Sequence, residues 1–419
     1  MSSATPTLAH PATAAEHSAW RRLVAVFALT QTVGYGAMIQ AFTTLLSPMA
    51  ESLAATRTQI AGAATLSTLV GALAAVPVGH LLDRYGGRML MTTGSAIGAV
   101  AVIVWSQAHT LTQLYLAFVL IGLALAMSTY EAAFAVLVAA GDPSCRDRAI
   151  VTVTMICGLA TSFYYLLAGR LEAWWGWRNA LVILAAMLVC VAVPLHLWAV
   201  PGRNAHRQRA VRHSGIPVGG ALRDRRFWLL VVAFVAQSGS TSAFLLMMVS
   251  YFRDIGHSAA TAAALPITVG TAQIGSRLAL APLARRFGMV AVTAVSFAVQ
   301  GFGLVLLPLA GTAVPATVAC VVAFGLGYGT SVVARPSIVA DTFGVARFAS
   351  IVAVMTVPIA LSRAGAPLAA AWLSDWRFLV VMGVLALVAA LALLMADLGP
   401  AHPRHAGDED GADRVARAR

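Results

Sequence analysis

The sequence predicts an all-α polytopic membrane protein, with twelve transmembrane helices in two pseudo-symmetric six-helix bundles. Three observations predict it. Of the 419 residues, 59% are hydrophobic and 11% charged, against roughly a quarter charged in soluble domains. The apolar residues gather into blocks long enough to cross about 30 Å of hydrocarbon, which takes roughly twenty helical residues each. Short motifs in the first half recur about 200 residues later, as expected of a duplicated bundle.

Residues 1–22 form a polar tail expected on the cytoplasmic side. They contain no apolar core followed by a small-residue cleavage site, so the first apolar block reads as a membrane span and not as a removable leader. Spans follow at 23–49, 60–82, 89–108, 113–140, 149–169 and 179–200, making an N-terminal bundle over 23–200. An arginine-rich stretch with scattered glycine and proline, 201–226, reads as a cytoplasmic linker. The second bundle, 227–397, holds spans at 227–251, 261–283, 289–310, 314–340, 349–372 and 376–397. The tail 398–419, with Asp408, Glu409, Asp410 and Asp413 beside arginines, is too polar to pack and is expected to be disordered.

Two echoes support the halving. Leu81-Leu82-Asp83-Arg84-Tyr85-Gly86 after span 2 returns as Leu283-Ala284-Arg285-Arg286-Phe287-Gly288 after span 8. Gly176-Trp177-Arg178 before span 6 returns as Asp375-Trp376-Arg377 before span 12.

All 28 basic residues are arginine, and with 16 acids the formal charge is +12. Placing both termini inside puts Arg21, Arg22, Arg84, Arg88 and the arginines of the linker and the C-terminal tail on the inner face. Only Arg57, Arg170, Arg178, Arg253 and Arg377 fall outside. The basic excess is therefore the positive-inside signal of membrane topology, not a nucleic-acid surface.

The chemistry of an enzyme is missing from the pattern. No histidines pair at metal-ligand spacing within a span, and the four cysteines match neither a metal site nor a disulfide framework. Without lysine there is no phosphate-binding loop of the nucleotide type, which argues against ATP-driven transport by this chain. No catalytic residue, metal or cofactor is expected.

Four charged residues lie well inside spans: Glu131, Arg277, Arg335 and Arg363. Each costs at least about 2.5 kcal/mol at bilayer depth, so each should be paired, wet or functional. One acid against three bases suggests a cavity favourable to anions. Arg335 follows Glu131 at nearly the repeat offset, so the two should face each other from equivalent places in the two halves. A guanidinium fork matches a carboxylate, making Arg335 a candidate substrate anchor or a fixed partner of Glu131. Arg363 is a candidate ligand contact or an interdomain clamp. Gln31 with Tyr35, and Gln237 with Thr241, share helix faces and are candidate lining or helix–helix hydrogen bonds. Ser128 and Ser331 stand one turn before Glu131 and Arg335.

The stretch Gly79-His80-Leu81-Leu82-Asp83-Arg84-Tyr85-Gly86-Gly87-Arg88 resembles the loop signature between spans 2 and 3 of the major facilitator superfamily, with Gly87 in place of the usual first basic residue. From about 20 to 397 the chain is similar to bacterial relatives of the monocarboxylate and oxalate carriers of that superfamily. The resemblance rests on Thr129-Tyr130-Glu131-Ala132-Ala133-Phe134-Ala135, Gly275-Ser276-Arg277, Asp341-Thr342-Phe343-Gly344 and Gly365-Ala366-Pro367. The acidic-glycine-tryptophan opening of the animal monocarboxylate carriers is missing before span 1. Two drug-antiporter marks are absent: an arginine near Phe118, and a glycine-proline pair where Ser162-Phe163 stands.

The resemblance implies a monomeric secondary transporter in the bacterial cytoplasmic membrane, with spans 1, 4, 7 and 10 lining a central cavity. Its cargo would be a small organic anion, by this likeness a monocarboxylate, moved with protons by alternating access. Glu131 would carry the coupling proton, and Arg277 would meet the substrate carboxylate, or else lie near the inner end of span 8 and snorkel to the interface as part of the degenerate loop repeat. Gly79, Asp83, Arg84, Gly86 and Arg88 would form a gating latch, with Asp83 capping a neighbouring helix or pairing with Arg88 and Arg148. The alternatives are a proton-driven exporter of drugs or amphipathic metabolites, and a non-transporting receptor on the same scaffold.

Overall fold

The computed structural model describes residues 14–141, 143–202, 216–370, 372–373 and 375–397. Most of the expected N-terminal tail, linker positions 203–215 and the tail 398–419 lie outside the described residues.

Among the described residues there are twelve membrane-length helices, numbered as the spans. α1 runs Ala14–Tyr35, passes a π-helical turn at Gly36–Gln40 and continues as Ala41–Ser52. α2 is Arg57–Tyr85 and α3 Gly87–Ser106. α4 comprises Leu111–Ser128 and Tyr130–Ala140, interrupted at Thr129. The helical stretch Pro143–Met187 folds back at Gly176, whose φ of 76° needs a residue without Cβ. It divides there into α5 (143–175) and α6 (177–199). After a short helix at Val218–Arg223 come α7 (Arg225–Asp254), α8 (Ala259–Phe287), α9 (Met289–Ala310), α10 (Val314–Phe343), α11 (Phe348–Ala370) and α12 (Asp375–Asp397).

Among the described residues ten helical segments are long and apolar enough to cross a membrane, one of them α5 and α6 together. α8, at 29 residues, has the length, but Gln273, Ser276 and Arg277 dilute its apolar character. Helix starts are locally encoded. Thr56 and Gln59 form a reciprocal capping box at α2, and Ser258 accepts from Thr261 N at α8.

The packing defines the state of the molecule. One hydrophobic cluster runs through both bundles at the end carrying the 86–87 and 288–289 turns, joining Leu23, Val78 and Val153 to Phe227, Val339 and Phe343. At the opposite end the core is split. Phe42, Trp105, Phe118 and Tyr164 belong to the first bundle alone, and Phe244, Phe252, Phe324 and Phe378 to the second alone. The bundles are therefore sealed together at the arginine-rich end and parted at the other. Phe118, where an antiporter arginine would fall, instead packs edge-on against Phe42 and Trp105 at 5.1 and 5.0 Å.

The seal rests on close helix approach and two polar clamps. At Gly79 an added Cβ would stand 2.7 Å from Ala349 O and 2.8 Å from Ala353 Cβ, so α2 and α11 meet backbone to backbone. Asp83, at the end of α2, accepts from Ser350 N (2.9 Å) and Ser350 Oγ (2.5 Å), capping the first turn of α11. Between α5 and α10, Arg146 Nη2 donates to Asp341 Oδ1 at 2.7 Å and Ser337 Oγ donates to Asp147 Oδ1 at 2.7 Å. The other residues of the loop signature make different contacts. Arg88 Nε donates to Val200 O at 2.7 Å, tying α3 to the end of α6 within one bundle. Arg84 is exposed and stacks over Tyr85, and Gly86 ends α2 at φ 80°. Gly87 has a packing reason to lack a side chain, because a Cβ there would meet Val136 Cγ2 at 2.4 Å.

Candidate functional site

Between the parted bundle ends lies a cavity of about 870 Å³, lined by α1, α2 and α4 on one side and by α7, α10 and α11 on the other. Its two walls differ in chemistry. The first bundle contributes Tyr35, Tyr130, Phe134 and Glu131. The second contributes Arg335 and Arg363 with Gln237, Ser238, Thr241, Ser242 and Ser331, and also the rings of Phe234 and Tyr328.

Glu131 stands in the first turn after the Thr129 interruption. Thr129 has extended backbone (φ −101°, ψ −158°), and both Ser128 and Thr129 turn their hydroxyls back onto carbonyls one turn earlier. Such back-bonding by adjacent hydroxyl residues competes with the helical ladder. The restarted helix then points its N-terminal dipole at Glu131, which favours a carboxylate there. Gln31 Nε2 donates to Ser128 O at 3.0 Å, satisfying a carbonyl at the broken turn where water is scarce.

Arg335 Nη2 donates to Glu131 Oε1 at 2.5 Å, closing an ion pair between α10 and α4. The pair is accessible from the cavity, with side-chain exposures of 17% for Arg335 and 33% for Glu131. Arg363 is exposed on the same cavity wall, with Nε 3.4 Å from Ser238 Oγ. Among the described residues no carboxylate lies within ion-pair distance of it. The cavity thus holds two guanidinium groups against one carboxylate.

Gln237 lines the cavity and donates to Gln300 Oε1 at 2.7 Å, while its own Oε1 is buried without a hydrogen-bond partner among the described residues. Tyr35 lies 4.6 Å from Tyr130, and Tyr130 stacks on Phe134 at 5.0 Å with the rings 11° from parallel.

The structure brings Glu131, Arg335, Arg363, Tyr35 and Gln237 to one cavity. Gln31 and Arg277 stand elsewhere. Gln31 is buried between α1 and α4. Arg277, 7% exposed, donates to Gly329 O, Thr154 O and Gln273 Oε1 at 3.0–3.3 Å, so it bridges α8 and α10 to α5 behind the cavity. Sequence reasoning missed the aromatic run, the serines beside Arg363 and the Arg146–Asp341 clamp. Tyr130 and Phe134 share a helix face four residues apart, a signal that was there to read. The clamp had only the charge of a short connection to announce it.

No curated protein matches the chain by sequence. Solved structures match its fold throughout. The human organic anion transporter MFSD10 (TETRAN) is similar at TM-score 0.68 and 15% identity, over 90% of this chain and 98% of that one. The transporter FucP in its outward conformation is similar at TM-score 0.71 and 15% identity, over 90% and 99%. A bacterial homologue of the iron transporter ferroportin in an outward-facing state is similar at TM-score 0.73 and 15% identity, over 90% and 99%. The Major Facilitator Superfamily model matches residues 27–357, and with two six-helix bundles around a central cavity this chain belongs to that superfamily of multi-pass membrane transporters.

Proposed function

We propose that the protein is a secondary active transporter that moves a small organic anion, of the monocarboxylate class, together with protons. It works by alternating access between the two bundles in a bacterial cytoplasmic membrane, both termini facing the cytoplasm. One observation carries this reading: Arg363 lines the cavity with no carboxylate within ion-pair distance among the described residues, beside an exchangeable Glu131–Arg335 pair.

The pair supplies a coupling device. A substrate carboxylate arriving at the two guanidiniums competes with Glu131 for Arg335. Glu131, released from its cation in a closing and drying cavity, takes a proton, because a carboxylate without counter-charge or water favours its neutral form. Substrate and proton are then carried together. The sign fits uptake: an inside-negative potential opposes entry of a bare anion by about 2.3 kcal/mol per 100 mV, and one co-transported proton cancels that term.

The test is flux into proteoliposomes of the purified protein, with radiolabelled lactate, propionate and benzoate under an imposed pH gradient. Accumulation that collapses with a protonophore, and falls about tenfold or more in Arg363→Gln, is the expected result. That size matches the loss of a hydrogen bond between charged groups, about 1.5–3 kcal/mol. Proton-driven movement of lipophilic cations, with carboxylates inert, would overturn the anion reading in favour of the exporter.

A further inference from the structure

We infer that the substrate is a planar, aromatic carboxylate, whose ring rests on the Tyr35–Tyr130–Phe134 wall while its carboxylate is held by the guanidiniums opposite. This rests on the organic-anion reading above and narrows it.

The argument is the asymmetry of the cavity. A carrier of acetate-sized anions needs guanidiniums and hydroxyls, and the second-bundle wall supplies them in Arg363, Arg335 and Ser238. It has no need of a run of rings facing that wall. Tyr35 and Tyr130 are half-buried and border the cavity at a centroid separation of 4.6 Å, and Phe134 is stacked behind Tyr130. Tyr130 and Phe134 sit on successive turns of α4 immediately after the Thr129 break, so the irregularity that places Glu131 also places the rings. Aromatic partners prefer stacked or edge-on neighbours and gain from them beyond simple area burial. A cavity of about 870 Å³ has room for a ring between the two walls. The run of contacting rings lies on the first-bundle wall, both cations lie on the second beside the separate rings of Phe234 and Tyr328, and together they define a ligand with an apolar planar body and one anionic end.

The experiment measures binding of benzoate, propionate and benzamide to the purified full-length protein in detergent, by titration calorimetry with thermal stability as a second readout. Benzoate is expected to bind about tenfold or more tighter than propionate, with benzamide bound weakest because it lacks the charge. Tyr130→Leu, which keeps an apolar side chain and removes the ring, should bring the benzoate-to-propionate ratio close to one. Tyr35→Leu provides the same test should the first variant fold poorly, and the wild-type ratio needs no variant. Equal affinity of benzoate and propionate, or a ratio unchanged in both variants, overturns the aromatic inference and leaves the anion reading standing. Failure of both carboxylates to bind, with benzamide bound, overturns both.

Discussion

The carboxylate of Glu131 in α4 and the guanidinium of Arg335 in α10 lie 2.5 Å apart across the interface between the two bundles. They occupy nearly equivalent places in the duplicated halves, and both are reachable from the cavity. An ion pair there is part of the bundle interface and of the candidate site at once. Anything that changes its protonation or offers Arg335 another anion changes how the halves hold each other.

Glu131→Gln removes the proton carrier and frees Arg335. Binding of carboxylates in detergent is expected to persist or tighten, since a competing anion is gone. Proton-driven accumulation should vanish. A gradient of one pH unit supplies about 1.4 kcal/mol per proton, worth tenfold accumulation, and in the variant the ratio should fall to about one while counterflow of labelled against unlabelled substrate continues. Loss of counterflow along with accumulation would show that Glu131 is needed for movement itself and not for coupling.

The two clamps at the sealed end should set the balance between conformations. Asp83→Ala strips the cap from α11, a change of about 0.5–2 kcal/mol for a helix cap. Asp341→Ala takes one partner from Arg146, which is 3% exposed, although the acid itself is 54% exposed and its Coulomb term is screened. Each variant should enlarge the fraction open at the arginine-rich end several-fold. Spin labels at Tyr85 and Phe287, both exposed and in different bundles, report it as a longer distance population by pulsed dipolar spectroscopy. Unchanged distances in the double variant would mean that apolar packing alone holds the seal.

Glycine substitutions should separate fold from state. At Gly122 a Cβ would stand 2.3 Å from Ser67 O, inside the first bundle; at Gly79 it would stand 2.7 Å from Ala349 O, between bundles. Backbone cannot yield inside a bundle that must stay packed, so Gly122→Ala should lower the thermal midpoint, at the about 1–3 kcal/mol typical of overpacking. In Gly79→Ala the bundles can part instead. Its midpoint should change less, and its label distances should move as in Asp83→Ala.

How far these features were legible in the sequence follows from the physics of each. Spans show in composition alone, because twenty apolar residues in lipid have one regular solution. Glu131, Arg335 and Arg363 stood out because charge at bilayer depth is costly, and the repeat offset paired the first two. The Thr129 break was hidden, since hydroxyl residues interrupt some helices and decorate others. Arg146 and Asp341 lie 195 residues apart, and only the docking of α5 on α10 brings them together. Gln31 shares a helix face with Tyr35, yet it turns toward the broken turn of α4, a demand that periodicity does not reveal.

Arg277 offers the sharpest separation of a ligand contact from a bridge. It is buried, has three carbonyl acceptors at 3.0–3.3 Å, and has no carboxylate within ion-pair distance among the described residues. Two of those acceptors, Gly329 O and Thr154 O, belong to helices of different bundles, so the side chain spans the interface while the opposite end is open. In an apolar replacement of similar length the desolvation cost of the buried charge disappears along with its hydrogen bonds, and the Gly329 and Thr154 carbonyls left behind lie within helices. Arg277→Met should therefore fold with a similar midpoint and bind carboxylates from the open side about as well as wild type. Its turnover should fall, because the bridge to Thr154 that distinguishes this conformation is gone. Titration of the variant in detergent beside a flux assay in proteoliposomes decides the matter. Binding retained with flux lost supports the bridge, whereas binding lost with the fold intact would place Arg277 on the substrate.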